Sequence, residues 1–203
     1  MAKNRARLVA FWVVGAAFVA FSGAVYLGWL YEADLWALQE TQEHPWNFLH
    51  TVSEIFSFFG GAEVTVAAFS LLLVVLFLYG RRALAGRLLA VFMATALVEL
   101  AMKLYLPQDP LPESSGRAED FAPLVIASFP YPYPSGHVIR AVILFGALYL
   151  LSDNRVVRAG ILVALCGVAA SRAYLGVHWA SDVVGGALLG IAALLWAFLK
   201  EDL

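Results

Sequence analysis

Charge is scarce in this chain of 203 residues: 14% are Asp, Glu, Lys or Arg, against 62% hydrophobic residues and a mean hydropathy of +0.80. Soluble domains carry about a quarter charged residues, so that class is excluded before any motif is read. Cysteine is scarcer still. Cys166 stands alone in an apolar run, which excludes an internal disulfide, marks no redox compartment and reads as plain packing. No basic block is present and the net charge is −2, so nothing points to nucleic acid as a partner. Internal repeats and low-complexity segments are also missing, and residues 1–203 read as a single domain.

Long apolar runs are what the chain has instead. The runs Leu8–Leu30, Ala62–Tyr79, Ala83–Leu106, Ser135–Ser152, Val157–Tyr174 and Ser181–Leu199 each approach the ~20 residues a helix needs to cross ~30 Å of hydrocarbon. They predict an all-α polytopic membrane protein with six transmembrane helices. The first run follows basic residues as in a signal peptide. It is too long for a signal core and lacks a small-x-small cleavage site, so it is expected to be a retained span. The stretch between the first two runs mixes polar residues with Leu, Trp and Phe, and predicts a short interfacial helix anchored by Trp36 and Trp46. His44 and His50 carry no partner pattern and read as interfacial.

Basic residues set the expected orientation. With the N-terminus cytoplasmic, that side holds Lys3, Arg5, Arg7, Arg81, Arg82, Arg87, Arg155, Arg158 and Lys200, and the other Lys103, Arg117, Arg140 and Arg172. This bias predicts cytoplasmic N- and C-termini. The acidic residues Glu32, Asp34, Glu40, Glu43, Asp109, Glu113, Glu119 and Asp120 fall outside. The same topology carries Lys103, the "PSGH" of Pro134–His137, Arg172, His178 and Asp182 to one outer membrane face.

These polar residues sit where charge beside hydrocarbon is costly, and their types suit phosphoryl transfer. His178 and Asp182 are spaced to share one helical face if the sixth helix already covers both. A carboxylate on one imidazole nitrogen leaves the other basic and aimed, as a nucleophile or general base requires. An interfacial salt bridge is the plainer reading of the same pair, and a metal held by His137, His178 and Asp182 is another; the spacing of a zinc site is missing. At "PSGH", Ser135 and Gly136 place backbone N–H groups in a first helical turn, where anions bind, with His137 beside them as a proton donor. Lys103 and Arg172 add positive charge, the arginine with a fork that fits phosphate oxygens.

"YPSGH" followed by "SRAYLGVHWASD" resembles the second and third signatures of the type 2 phosphatidic acid phosphatase (PAP2) superfamily of membrane lipid phosphatases. The pattern S-R-x5-H-x3-D is matched at every defined position by Ser171, Arg172, His178 and Asp182. The resemblance implies that His178 attacks phosphorus to form a phosphohistidine, that Asp182 orients it, and that His137 protonates the leaving oxygen. It further implies that Lys103, Ser135, Gly136 and Arg172 hold the phosphate, with no cofactor or metal. The implied substrate is a lipid phosphate or pyrophosphate already in the bilayer. The alternatives are a phosphotransferase and a non-catalytic lipid-binding or transport protein.

The family's first signature, a lysine, six residues and then Arg-Pro, is incomplete: Lys103 is followed by "LYLPQDPLPESSG", with Asp109 before Pro110. Two arginines offer replacement. Arg117 lies in the following loop. Arg140 lies one turn inside the fourth span on the His137 face, and either contacts phosphate or pairs with Glu99, one turn below Lys103. The loop Pro107–Tyr133 is expected to set headgroup choice. Its "FPYPYP" run reads as a stiff segment with Tyr131 and Tyr133 at the interface, and Gly186 and Gly190 read as helix packing.

Overall fold

The structure, a computed structural model, describes residues 2–43, 46–112, 115–116 and 129–201. Arg117, Glu113, Glu119, Asp120, His44 and most of the expected headgroup loop lie outside the described residues. Eight helices and no strand are found among the described residues: α1 (Ala2–Tyr26), α2 (Tyr31–Gln42), α3 (Asn47–Gly60), α4 (Ala62–Leu78), α5 (Arg82–Tyr105), α6 (Gly136–Leu151), α7 (Arg155–Tyr174) and α8 (Ala180–Ala197). Each of the six apolar runs falls on one helix. Four of these, in α1, α5, α7 and α8, are long and apolar enough to cross a membrane by themselves.

The remaining two are short for different reasons. α4 follows α3 across a 47° bend at Gly60–Gly61, and only the pair together has the length of a span. α6 has 16 residues, a rise of about 24 Å. It is surrounded by α3, α4, α5, α7 and α8, and its residues Val138, Ile139, Ala141, Val142, Ile143, Leu144 and Ala147 are buried. Being the central helix, α6 does not need to match the thickness of lipid along its own surface.

The first helix ends at Tyr26 rather than Leu30. Gly28, at φ +71°, turns the chain into α2 in a conformation that a side chain would strain. Where one interfacial helix is expected, the chain forms two helices, α2 and α3, the second continuing across the bend into α4. α3 turns polar residues inward, with Ser53, Glu54, Ser57 and Gly60 buried, while Phe48, Ile55, Phe58 and Phe59 are exposed. Such a helix puts its apolar side against lipid and its polar side against protein. Trp36 and Trp46 are exposed, as anchors at a headgroup layer would be. Cys166 is exposed as well, so it does not serve the packing read from its sequence context.

The main apolar core lies between α4, α5, α6 and α8, with Phe69, Leu72, Leu84, Leu88, Ile139, Ile143 and Phe198 at its centre. A smaller one joins Phe18 and Val25 of α1 to Leu106 and Tyr133. At the end of the bundle holding the start of α1, the α4–α5 turn and the end of α8, Glu201 is gripped by Arg81 and Arg87, while Arg7 donates to the carbonyls of Phe198 and Glu201. The opposite end collects the C-termini of α5 and α7, the N-termini of α6 and α8, and the helices α2 and α3.

Candidate active site

The loop between α7 and α8 carries His178. Gly176, at φ +67°, lets the chain leave α7 sharply, and α8 then starts at Ala180, two residues after the histidine. His178 and Asp182 therefore do not share a helical face. Asp182 occupies the third position of α8 and reaches back: one oxygen, Oδ2, accepts from His178 Nδ1 at 3.0 Å and from the Trp179 N–H at 3.0 Å. The carboxylate thus caps its helix and fixes the imidazole together. With Nδ1 engaged, Nε2 is the nitrogen free to react. Asp182 is fully buried, and its Oδ1 has no hydrogen-bond partner among the described residues.

Burial pushes His178 below its ordinary pKa near 6.5. The Asp182 bond and charge pull it up, and Arg172 and Lys103 push it down. His178 is accordingly neutral at pH 7.

The second signature meets the third through the backbone. Ser135 caps α6, and its N–H donates to the carbonyl of Asp182 at 3.0 Å. Three glycines of α8 allow this approach. A β-carbon on Gly185 would strike the Tyr133 ring, one on Gly186 the Ser135 carbonyl, and one on Gly190 the side chain of Val142. Tyr133 is not at the interface. It is fully buried, stacked with Phe18 at 6.5 Å and hydrogen-bonded to Ser22 at 2.9 Å; burial pushes its hydroxyl up to about 12. Ser135 is also fully buried, and its Oγ has no partner among the described residues. His137 follows in the first turn of α6, beside Gly60 of α3.

Lys103 lies in the last turn of α5 and pairs with Glu99 at 2.9 Å; Arg140 reaches the other oxygen of Glu99 at 3.4 Å. The Arg140–Glu99 pair is thus present, and Arg140 Nε has no partner among the described residues. Arg172, buried in the last turn of α7, donates to Ser57 of α3. Asp109 is exposed, with its backbone carbonyl accepting from Trp179 Nε1 at 2.8 Å. His50 pairs with Glu54 at 3.5 Å, a partner four residues on that the sequence reading passed over. Among the described residues no three His, Cys, Asp or Glu side chains gather as a metal site.

Two contributors were not legible as site residues. Ser57 is one. The other is Asp34 of α2, buried, whose two oxygens accept from the Ser181 N–H at 2.8 Å and the Ser181 hydroxyl at 2.6 Å. Burial raises its pKa, the two Ser181 bonds oppose that, and the Asp182 charge adds to it. At its other end α2 sends Thr41 and Gln42 to the last carbonyls of α7, at 3.5 and 3.4 Å. α2 is a strap: it supplies donors to the C-terminus of α7 and an acceptor to the N-terminus of α8, the orphan groups on either side of the His178 loop. Asp34 carries no motif spacing. Only its burial sets it apart from Glu32 or Glu40.

Comparison with known proteins bears on family and fold. The model of the PAP2 superfamily matches residues 88–202. A phosphatidylglycerophosphatase B of Bacillus subtilis is 37% identical over 92 residues, 40% of this chain and 43% of that protein. An undecaprenyl-diphosphatase of Sulfolobus acidocaldarius is 45% identical over 62 residues, 30% of this chain and 29% of that one. The chain thus spans less than half the length of these curated relatives. A crystal structure of a transmembrane PAP2 type phosphatidylglycerolphosphate phosphatase from Bacillus subtilis superposes with a TM-score of 0.72 at 22% identity, covering 92% of this chain and 93% of that one. At that identity the likeness establishes the fold.

Proposed function

We propose that this chain, which belongs to the PAP2 superfamily, is an integral-membrane phosphatase that removes phosphate from a lipid phosphate or lipid pyrophosphate through a phosphohistidine. The observation that carries the reading is the His178 Nδ1–Asp182 bond at 3.0 Å, which leaves Nε2 free at a point where Arg172 and Lys103 both act on the ring.

In the first step Nε2 of His178 attacks phosphorus. The bond from phosphorus to the lipid oxygen breaks, and that oxygen takes a proton from His137, leaving as alcohol or as lipid monophosphate. Bound phosphate favours the imidazolium form of His137 that this requires. In the second step neutral His137 takes a proton from water, the hydroxide attacks phosphorus, and the histidine–phosphorus bond breaks to release inorganic phosphate. Lys103, Arg172, Ser135 and the N–H of Gly136 hold the phosphate oxygens as charge develops. The buried Ser135 Oγ, without a partner among the described residues, supports that role for the serine. Arg140 supplies positive charge on the side where the first signature lacks its arginine.

The bundle crosses the membrane six times, with α3 and α4 as one broken crossing and α6 as the sheltered one. The termini are cytoplasmic and the site faces the extracytoplasmic side; the basic residues around the opposite end support this orientation.

The test is phosphate release by purified, detergent-solubilised protein from a panel of lipid phosphates and pyrophosphates, beside His178→Ala and with EDTA in parallel. Release that survives EDTA and disappears in the variant is expected. No release from any lipid by folded protein would overturn the hydrolase reading, and a phosphorylated acceptor without free phosphate would favour transfer.

A further inference from the structure

A site built to hold phosphate ordinarily excludes carboxylates, yet Glu99 lies inside this one. Its two oxygens are divided between the two cations, Oε1 to Lys103 at 2.9 Å and Oε2 to Arg140 at 3.4 Å. Its carboxylate also abuts the first residue of α6, where a β-carbon on Gly136 would overlap it and touch the Arg140 guanidinium. Two cations and a helix N-terminus are the environment an anion seeks, and Glu99 occupies it from within the chain. Glu63, in the first turn of α4, is a second carboxylate acting on Arg140. In the sequence the first signature has Asp109 before its proline instead of an arginine.

A purely structural ion-pair network would account for Glu99, Lys103 and Arg140. It would not account for the Ser135 hydroxyl and Arg140 Nε, both buried and without a partner among the described residues. These groups are placed to receive an anion that shares the cations with Glu99.

We propose that Glu99 is a specificity-determining residue that sets how much negative charge the site accepts, by taking part of the attraction of Lys103 and Arg140 for itself. This rests on the phosphatase reading above and narrows it to a substrate class: lipids ending in a single phosphate monoester, in preference to diphosphates. Repulsion from the fixed carboxylate grows with each charge on the ligand, so a diphosphate loses more than a monophosphate.

Binding of inorganic phosphate and of inorganic pyrophosphate, measured by calorimetry on purified protein, tests this without relying on turnover. Wild-type protein should bind pyrophosphate no more than about threefold tighter than phosphate, despite its greater charge. Glu99→Gln, nearly the same in shape, should tighten pyrophosphate by about tenfold and phosphate by less than about threefold. Glu99→Asp, which keeps the charge, should preserve the wild-type ratio. Wild-type protein preferring pyrophosphate by tenfold or more would overturn the proposal even if the glutamine variant failed to fold. Equal effects of Glu99→Gln on both ligands would overturn it as well. If these binding shifts appear in protein that hydrolyses no lipid, the hydrolase reading fails while the role of Glu99 stands.

Discussion

The two ends of the bundle both gather charge, and they handle it in opposite ways. At the end of α8, Glu201 is satisfied by Arg81 and Arg87, and Arg7 meets backbone carbonyls where the helix has run out of donors. Attraction and geometry agree there, and the result is a clasp. At the start of α8, the Asp182 carboxylate has one oxygen holding two donors and the other holding none; the Ser135 hydroxyl and Arg140 Nε are likewise without partners among the described residues. Leaving buried polar atoms unpaired costs about 1–3 kcal/mol each. The Arg87 Nε left without a partner at the first end lies beside a carboxylate already gripped, whereas the unpaired groups at the second lie among the proposed phosphate-binding residues.

Substitutions at the two ends should therefore separate activity from stability. The largest effect is expected from His178→Ala: loss of the nucleophile should lower kcat by about 10³-fold or more, with a melting temperature in detergent close to wild type. An unchanged rate would remove His178 from the chemistry.

Asp182→Asn should come next, at about 10²- to 10⁴-fold in kcat. It also sharpens the comparison through pH. Burial holds His178 below about 6.5. The neutral nucleophile is therefore complete above that value and lost as pH falls through the lowered folded pKa. Because the Asp182 bond and charge raise that pKa, the asparagine variant should move the acid limb of the rate profile to still lower pH. A limb displaced upward would contradict the assignment.

Asp34→Ala should give an intermediate result at the same end: about tenfold in kcat, and about 2 kcal/mol of stability through loss of two bonds to a buried carboxylate. Asp34→Asn, which keeps an acceptor for the Ser181 N–H, should recover part of the kcat as well as part of the stability. Recovery of stability alone would mark α2 as packing with no part in positioning His178.

The smallest effect belongs to the clasp. Glu201→Gln, at partly exposed pairs, should cost about 0.5–1 kcal/mol and leave kcat within about twofold. A larger fall in rate would mean that the two ends are coupled through α8.

The sequence made the helices legible because the apolar runs are bounded by charge and turn residues, and because membrane spans must satisfy their own backbone. His178, Asp182, Arg172, Ser135 and Gly136 were legible from spacing, and Glu99 as the partner of Arg140 from depth along two helices. What stayed hidden depends on residues distant in the chain. The burial of Tyr133 follows from the glycine at 185, which no reading of "FPYPYP" contains. The start of α8 after His178, rather than before it, is fixed by the capping reach of Asp182 and by Gly176. Asp34 and Ser57 enter the site only because α2 packs against α7 and α8 and α3 packs against α7, and neither residue type announces such a contact.

The most direct test of the central claim is chemical trapping of the intermediate: a lipid monophosphate labelled in its phosphate, mixed with enzyme, quenched within the turnover time and mapped by peptide. The account predicts acid-labile, base-stable label on His178 of the wild-type protein and none in His178→Ala. Turnover with no label on protein at early times, or label that persists in His178→Ala, would contradict it.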